Sequence, residues 1–297
     1  MKISAISQIY NNNLLGVNKK TQFSFKHSVD TFERTNSKSL NDVFYEGSTF
    51  KIDSYKALTQ EQKEILLKKI PHQLKFDVER NYEISKKFKE SLDEKYGENN
   101  YIFECIGTSP AGIGRFLEFS GIEVHYLPIS ALRKLVNASQ LILYAHQQGI
   151  DKYGDFLASQ CIKKGMEKET DKHILFYDYT ESGTTLNTFK DILSEFYGVN
   201  VKDKKIEFRS LNSDLKKFSS SLQDEKEAKL YIDAYLSGER IGDYTGVPHL
   251  RVNSLDYVKF LSKSKKPENA RLFNFYIMYL LEQEGLLKEN LANKNSI

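Results

Sequence analysis

The segment from Ile174 to Leu186 constrains the fold of this chain more than any other part of the sequence. Four apolar or aromatic residues run into Asp178, a short polar loop follows at 180–185, and a helical pattern begins at Leu186. This order predicts a buried strand, a tight turn and a helix N-terminus, with one carboxylate at the end of the strand. We therefore expect at least one strand–loop–helix unit of an α/β fold.

The loop in this segment has the composition of an anion-binding site. The first backbone N–H groups of a helix lack intrahelical partners, and the helix dipole makes that end electropositive. Glycine allows the backbone to approach a ligand, and the neighbouring hydroxyls add donors. The residues predicted to bind the ligand are Asp178, Thr180, Ser182, Gly183, Thr184 and Thr185. The same pattern is also typical of an ordinary strand followed by a Ser- or Thr-capped helix.

A second segment, from Tyr101 to Leu127, repeats this organisation. Its pattern predicts a strand at 101–106, a glycine-rich loop at 107–112, a helix at about 113–120 closed by Gly121, and a second strand at 122–127. Such a βαβ unit gives parallel strands joined by a right-handed crossover. Ligands of these sheets bind at the carboxyl ends of the strands, which is where both loops are expected to lie.

Two common nucleotide-binding motifs do not fit the glycine-rich loop. Gly107 and Gly112 have the Gly-x4-Gly spacing of a P-loop, but Ile113 and Gly114 follow where a P-loop requires Lys and Ser or Thr. The pair Gly112-x-Gly114 lacks the third glycine of the dinucleotide fingerprint. Neither motif therefore accounts for this loop.

Together the two segments resemble the type I phosphoribosyltransferases. The signature of that family is an apolar strand, two acidic residues, three variable positions and then Thr/Ser-Gly-x-Thr. Here Asp178 matches the second acid, Tyr177 replaces the first, and residues 182–185 match the loop that holds the 5′-phosphate. The order of the two loops, and their separation of about seventy residues, also match the family.

The resemblance implies a role for each matching residue. Asp178 would bind a hydroxyl of the ribose in phosphoribosyl pyrophosphate and is the predicted catalytic residue. The loop after the first strand would bind the pyrophosphate and its metal through Gly107, Thr108 and Ser109, and Arg115 would add a cation. Mg²⁺ would be bound through the substrate, and no metal site is assigned to protein side chains.

The fold class implied by the resemblance is α/β, a type I phosphoribosyltransferase-like parallel sheet with flanking helices and a helical C-terminal extension. The implied function is binding of phosphoribosyl pyrophosphate, or of a related ribose 5-phosphate or nucleotide, with transfer of the phosphoribosyl group to a nitrogenous acceptor. Because Tyr177 replaces an acid, two alternatives stay open. One is a catalytically inactive relative that senses a nucleotide, and the other is an effector-like protein-interaction module.

Composition and charge limit the classes of partner that this chain is expected to bind. The chain has 297 residues, with 40% hydrophobic and 28% charged content and a net charge of +3. This balance predicts no nucleic-acid partner. The most apolar run, 272–281, contains Asn274 and is about half the length that a bilayer span requires, so no membrane partner is expected. The N-terminus lacks the continuous apolar segment of a Sec signal, which predicts a cytoplasmic location and leaves non-Sec export open.

The remaining pattern predicts three regions. Residues 1–48 are rich in Asn, Ser, Lys and Thr and are expected to be disordered or loosely ordered, residues 49–211 to form the α/β core, and residues 212–297 to form a mainly helical region packed on it. The last helix, predicted at 267–288, is apolar around much of its surface. It is therefore expected in the core or in the subunit interface of a homodimer.

Several single residues have predicted local roles. Thr59 and Gln62 form a capping-box pattern at the start of a helix, and Gly97 is expected to close the helix before the first strand. Cys105 is expected to be a small core residue, and His125 a packed or surface residue of the second strand.

Overall fold

The computed structural model describes residues 50–127, 171–179, 183–197, 200–202, 205–221, 249–254, 257–261 and 267–288. The helices in these ranges are α1 (Ile52–Lys56), α2 (Gln60–Lys69), α3 (His72–Tyr96), α4 (Ala111–Phe119), α5 (Thr184–Tyr197), α6 (Leu211–Ser221) and α7 (Pro267–Gln283). The strands are β1 (Tyr101–Ile106), β2 (Glu123–Leu127), β3 (His173–Asp178), β4 (Ile206–Ser210), β5 (His249–Ser254) and β6 (Tyr257–Leu261).

Four of these strands form a parallel sheet with the order β2-β1-β3-β4. Parallel neighbours need a crossover, and α4 and α5 supply the crossovers from β1 to β2 and from β3 to β4. The prediction of an α/β protein with a parallel sheet and flanking helices is confirmed. Strand β1 has the predicted bounds, whereas α4 begins at Ala111 rather than at 113 because Pro110 already has helical backbone angles.

The two faces of the sheet pack against different helices. On the face that we call the α3 side, Phe88 of α3 contacts the rings of Phe103 and Tyr177 edge-to-face, with centroid distances of 6.1 and 5.4 Å. Helices α4 and α7 belong to the same core. On the opposite face, the α5 side, Phe176 lies between Phe189 of α5 at 5.4 Å and Phe208 of β4 at 5.0 Å. Since successive strand residues alternate between faces, Tyr177 and Asp178 project to opposite sides of the sheet.

The predicted start of α2 and the predicted glycines at the ends of α3 and α4 are confirmed. The Thr59 hydroxyl accepts a hydrogen bond from the Gln62 amide, and the Gln62 side chain accepts one from the Thr59 amide, which completes the capping box at the start of α2. Gly97 and Gly121 follow α3 and α4 with φ of 90° and 91°. Glycine adopts this left-handed region without the steric cost that a side chain would add.

The C-terminal part of the chain contains both helix and strand. Helix α7 runs from Pro267 to Gln283, five residues shorter than the predicted 267–288, and its buried residues join the core beside α3 and α4. Strands β5 and β6 form an antiparallel pair where a mainly helical region was expected. The expected disordered segment 1–48, together with the candidate site residues Thr180 and Ser182, lies outside the described residues.

Helices long and apolar enough to cross a bilayer are absent from the described residues.

Candidate functional site

The two loops singled out in the sequence follow neighbouring strands. Strand β1 leads through α4 to β2 on one side, and β3 leads through α5 to β4 on the other, so the strand order reverses between β1 and β3. A crevice forms at such a switch point, outside the carboxyl ends of the two strands, and ligands of open α/β sheets bind there. The structure thus brings the loop after Ile106 and the loop after Asp178 to the same edge.

The loop after β1 connects the strand tightly to its helix. Gly107 has a φ of 75° and its amide donates to the Leu127 carbonyl at the end of β2, at 2.8 Å. The Thr108 carbonyl accepts from the Ala111 amide at 3.1 Å, where α4 begins. Thr108 and Ser109 are half-buried. The loop therefore places two hydroxyl residues beside the electropositive end of a helix, as an anion site requires.

The loop after β3 ends in a similar way. Asp178 is the last residue of the strand and is 8% exposed. Gly183 has a φ of 71°, and its carbonyl accepts from the Asn187 amide at 2.9 Å, so it is the N-terminal cap of α5. Thr184 and Thr185 are the first two residues of that helix, and Thr185 is buried. The candidate residues Asp178, Gly183, Thr184 and Thr185 therefore lie at one strand-to-helix junction.

Tyr177, the residue next to Asp178 in β3, is engaged in the core. Its hydroxyl donates to Asp214 at 3.0 Å, and its ring stacks on Phe103 at 4.8 Å. Burial raises the pKa of Tyr177 well above its usual value, and the Asp214 carboxylate adds to the increase. Tyr177 is therefore a neutral phenol that packs in the core on the α3 side of the sheet. It does not offer its hydroxyl to a ligand in the crevice, so a sensor of this fold would bind ribose without the help of Tyr177.

Arg115, expected as a cation for the loop after β1, is occupied elsewhere. Its guanidinium forms an ion pair with Glu118 at 2.7 Å and lies over the Tyr126 ring at 4.4 Å. These contacts join α4 to β2, because Glu118 also accepts from the Tyr126 hydroxyl at 2.8 Å. The prediction that Arg115 supplies charge to the loop is wrong, since its position one turn into α4 directs the side chain toward β2.

A chain of alternating charges on the α5 side was not predicted. Glu104 of β1 is 1% exposed and contacts His125 Nδ1 at 2.7 Å; His125 Nε2 lies 3.5 Å from Glu123, which pairs with Lys172 at 3.3 Å. Burial by itself would lower the pKa of His125, but the hydrogen bonds and charges of the two glutamates raise it to about 10. His125 is therefore a packed imidazolium, not a free base.

Cys105 is buried as predicted. Its thiol lies 3.8 Å from the Pro110 carbonyl, and burial raises the pKa of the thiol well above its usual value. A thiol that stays protonated is a poor nucleophile, so Cys105 has a packing role under the loop.

The described side chains do not form a metal site by themselves. No group of three or more His, Cys, Asp or Glu side chains with metal-binding geometry occurs in the part of the chain that the structure describes. Asp178 offers a single carboxylate at the end of a switch-point strand. This donor set fits a cation that arrives with the phosphate oxygens of a ligand, because Mg²⁺ is commonly held by one or two carboxylates together with substrate phosphates.

Comparison of the chain with protein-family models, curated proteins and solved structures gives no match.

Proposed function

We propose that this chain is a phosphoribosyltransferase-like protein that binds phosphoribosyl pyrophosphate, or a related ribose 5-phosphate or nucleotide, in the crevice between β1 and β3. One observation carries the proposal. Two glycines in the left-handed region, Gly107 and Gly183, lie in the loops after neighbouring parallel strands at a switch point, and each loop leads into a helix N-terminus. Two helix N-termini at one crevice, each favourable for an anion, suit a ligand with two separate phosphate groups.

The loop after β3 would hold the 5′-phosphate. The N–H groups in the first turn of a helix lack intrahelical partners, and together with the dipole of α5 they favour a dianion next to Gly183. Asp178, at the end of the strand that leads to this loop, would accept a hydrogen bond from a ribose hydroxyl. The loop after β1 would hold the pyrophosphate through Thr108 and Ser109. Gly107, whose amide already donates to the Leu127 carbonyl, would shape the turn.

Transfer of the phosphoribosyl group from such a ligand requires little covalent chemistry from the protein's side chains. The bond between the ribose C1 and pyrophosphate breaks through an oxocarbenium-like state, and a nitrogen of the acceptor then forms the new bond to C1. Mg²⁺ bound to the pyrophosphate would neutralise its charge as it leaves. The chain's own residues position the ribose and stabilise charge, since Asp178 and the two loops fix both ends of the donor.

A second candidate function is binding without turnover. In the family two acids grip the ribose, whereas here the side chain at position 177 is a tyrosine engaged with Asp214. A ribose held through Asp178 alone is positioned less firmly, which favours a catalytically inactive nucleotide sensor. Release of pyrophosphate in the presence of candidate acceptors separates the two functions.

Titration calorimetry of the full chain with phosphoribosyl pyrophosphate and Mg²⁺ tests the proposal. We expect micromolar binding that Gly183→Val and Asp178→Asn each weaken at least about tenfold, because each disturbs a contact to a charged or hydroxyl group of the ligand. Gly285→Val is the matched control: Gly285 also has a positive φ, 69°, but it follows α7, and a Cβ added there would meet no atom within 4 Å. No binding heat up to millimolar ligand would reject the proposal and favour the protein-interaction alternative.

A further inference from the structure

Asp77 of α3 is a buried carboxylate whose charge is not neutralised by any described residue. It is 2% exposed, and its Oδ1 accepts one hydrogen bond, from the Gln73 side-chain amide at 3.0 Å. Its Oδ2 is buried without a hydrogen-bond partner. Burying a carboxylate is costly unless it is paired, and a carboxylate oxygen without a partner needs an explanation.

Contacts along α3 indicate the height of Asp77 relative to the loop after β1. At the C-terminal end of the helix, Tyr96 contacts Tyr101 at the start of β1. Further back, Phe88 rests on the side chains of Phe103 and Tyr177, so the helix runs antiparallel to β1 and β3. Asn81 then donates to the Gly112 carbonyl, in the first turn of α4, at 3.1 Å. Asp77 lies one turn beyond Asn81, at or past the height of the loop after β1.

The same helix geometry fixes the direction in which Asp77 lies. Asp77 and Phe88 are eleven residues apart, which is about three turns and leaves them within about 20° of each other around the helix. Phe88 faces the two strands that flank the switch point. Asp77 therefore faces the continuation of those strands, which is the crevice, from the α3 side, while Asp178 lies on the α5 side.

We propose that Asp77 binds a cationic or N–H-donating nitrogen group of a small ligand in this crevice, such as an amine, an amidine or a protonated heterocycle. The assignment deepens the proposed function and rests on it, because it identifies the class of the nitrogenous acceptor. A carboxylate forms its strongest hydrogen bonds with cationic N–H donors. A bare divalent cation is a poorer fit, since hard cations need about six oxygen ligands and Asp77 is a single carboxylate beside an amide.

The stability of the Asp77→Asn variant in the absence of ligand distinguishes a ligand-binding role of Asp77 from a structural role. Removal of an unpaired buried charge should raise the denaturation midpoint of the full chain. A structural role through Gln73 would lower the midpoint, which would overturn the proposal. Glu83→Gln on the exposed side of the same helix controls for a charge change alone, and it should leave the midpoint unchanged.

Binding of benzamidine, with neutral benzamide as its isosteric control, tests the ligand chemistry directly. We expect calorimetry to detect benzamidine binding to the wild-type chain and to Glu83→Gln, at least about tenfold weaker binding to Asp77→Asn, and weak binding of benzamide to all three. Equal binding of benzamidine to wild type and Asp77→Asn, or no binding up to about 20 mM, would overturn the proposal.

Phosphoribosyl pyrophosphate, titrated in parallel, keeps the two proposals distinguishable. It should bind the wild type and Asp77→Asn equally, because Asp77 does not contact the donor. If phosphoribosyl pyrophosphate fails to bind either protein while benzamidine binding still depends on Asp77, the phosphoribosyl assignment and the acceptor role fail. The binding of a nitrogen group by Asp77 then stands alone. If phosphoribosyl pyrophosphate binds both proteins and the affinity for benzamidine does not depend on Asp77, only the acceptor assignment fails.

Discussion

Glu104 and His125 form an ion pair that joins β1 to β2. The two residues are register partners in β1 and β2, so their side chains share one face of the sheet. Glu123 lies 3.5 Å from the other ring nitrogen, and its interaction with the imidazole is the main reason that the pKa of Glu123 lies below its usual value. Breaking such a pair from one side leaves an uncompensated buried carboxylate, which is strongly destabilising.

The raised pKa of His125 makes the stability of the fold depend on pH. The folded state holds the imidazole proton up to a pH of about 10, whereas the unfolded chain releases it near 6.5. The stabilisation is therefore complete below pH 6.5 and is lost as the pH rises toward 10, a decrease on the order of a few kcal/mol. Urea denaturation at pH 6, 8 and 10 should show this decrease. His125→Gln should be less stable at pH 6 and should lack the slope; an equal slope in both would refute the assignment.

Gly114 is required by the close packing of α4 on the sheet. A Cβ at this position would lie 2.6 Å from the Cys105 thiol and 3.1 Å from the Tyr126 ring. Alanine normally favours a helix, but here we expect Gly114→Ala to lower the free energy of unfolding by about 1–3 kcal/mol through overpacking. Chemical denaturation measures the change. The double variant with Cys105→Ala should recover part of the loss, and strict additivity of the two substitutions would contradict the packing explanation.

At the scale of elements, α7 belongs to the core rather than to a surface extension. Phe275 is fully buried, and its ring contacts Phe50 at 6.2 Å and Tyr55 at 5.8 Å. Ion pairs and hydrogen bonds add to this packing: Glu282 binds both Lys63 and the Tyr55 hydroxyl, and the Tyr276 hydroxyl donates to Glu79. Helices from the two ends of the described chain therefore stabilise each other.

Truncation of one aromatic ring on α7 tests this role. Phe275→Ala should cost about 3–5 kcal/mol, because it leaves a cavity between α7 and α1. The matched control is Phe76→Ala on α3, where the ring is 44% exposed, and its effect should stay within about 0.5 kcal/mol. Thermal or urea denaturation gives both values. A small effect at position 275 would mean that α7 is only loosely attached.

Local patterns in the sequence predict some helices and strands well and miss others. Six consecutive buried residues form β1, and glycines in the left-handed region mark the ends of α3 and α4, so both features are visible locally. The hairpin of β5 and β6 has a readable signal too, since apolar and polar residues alternate in Leu250–Asn253 and Val258–Phe260. That alternation is short and weak beside the strongly helical pattern of 267–281, which dominates this part of the sequence.

The partners of the site residues depend on distant contacts and are not visible in the sequence. Tyr177 donates a hydrogen bond to Asp214, which lies thirty-seven residues further along the chain. Glu104 contacts His125 only because the register of β1 and β2 places them side by side. The turns at Gly107 and Gly183, each between a strand and a helix, were predictable because they depend on local sequence. Asp77 was not, since a carboxylate on an amphipathic helix has the pattern of a surface residue until the packing of α3 is known.

At the scale of the whole molecule, the order of the strands decides where a ligand can bind. Strands β1 and β3 lie side by side with Cys105 beside Tyr177, so the chain continues from each of them at the same height. Helices α4 and α5 follow the two strands on opposite faces of the sheet, and both begin at this edge. The crevice between their N-termini is therefore the place where we expect an anionic ligand to bind.

Hydrogen–deuterium exchange of the full chain, with and without saturating phosphoribosyl pyrophosphate and Mg²⁺, tests this central claim most directly. A ligand that accepts hydrogen bonds from the two loops should slow exchange of the backbone amides in residues 108–112 and 183–186 together. The amides of β5 and β6 should be unchanged. Slower exchange in both loops is the result that we predict; no change in either loop, or protection confined to other parts of the chain, would contradict it.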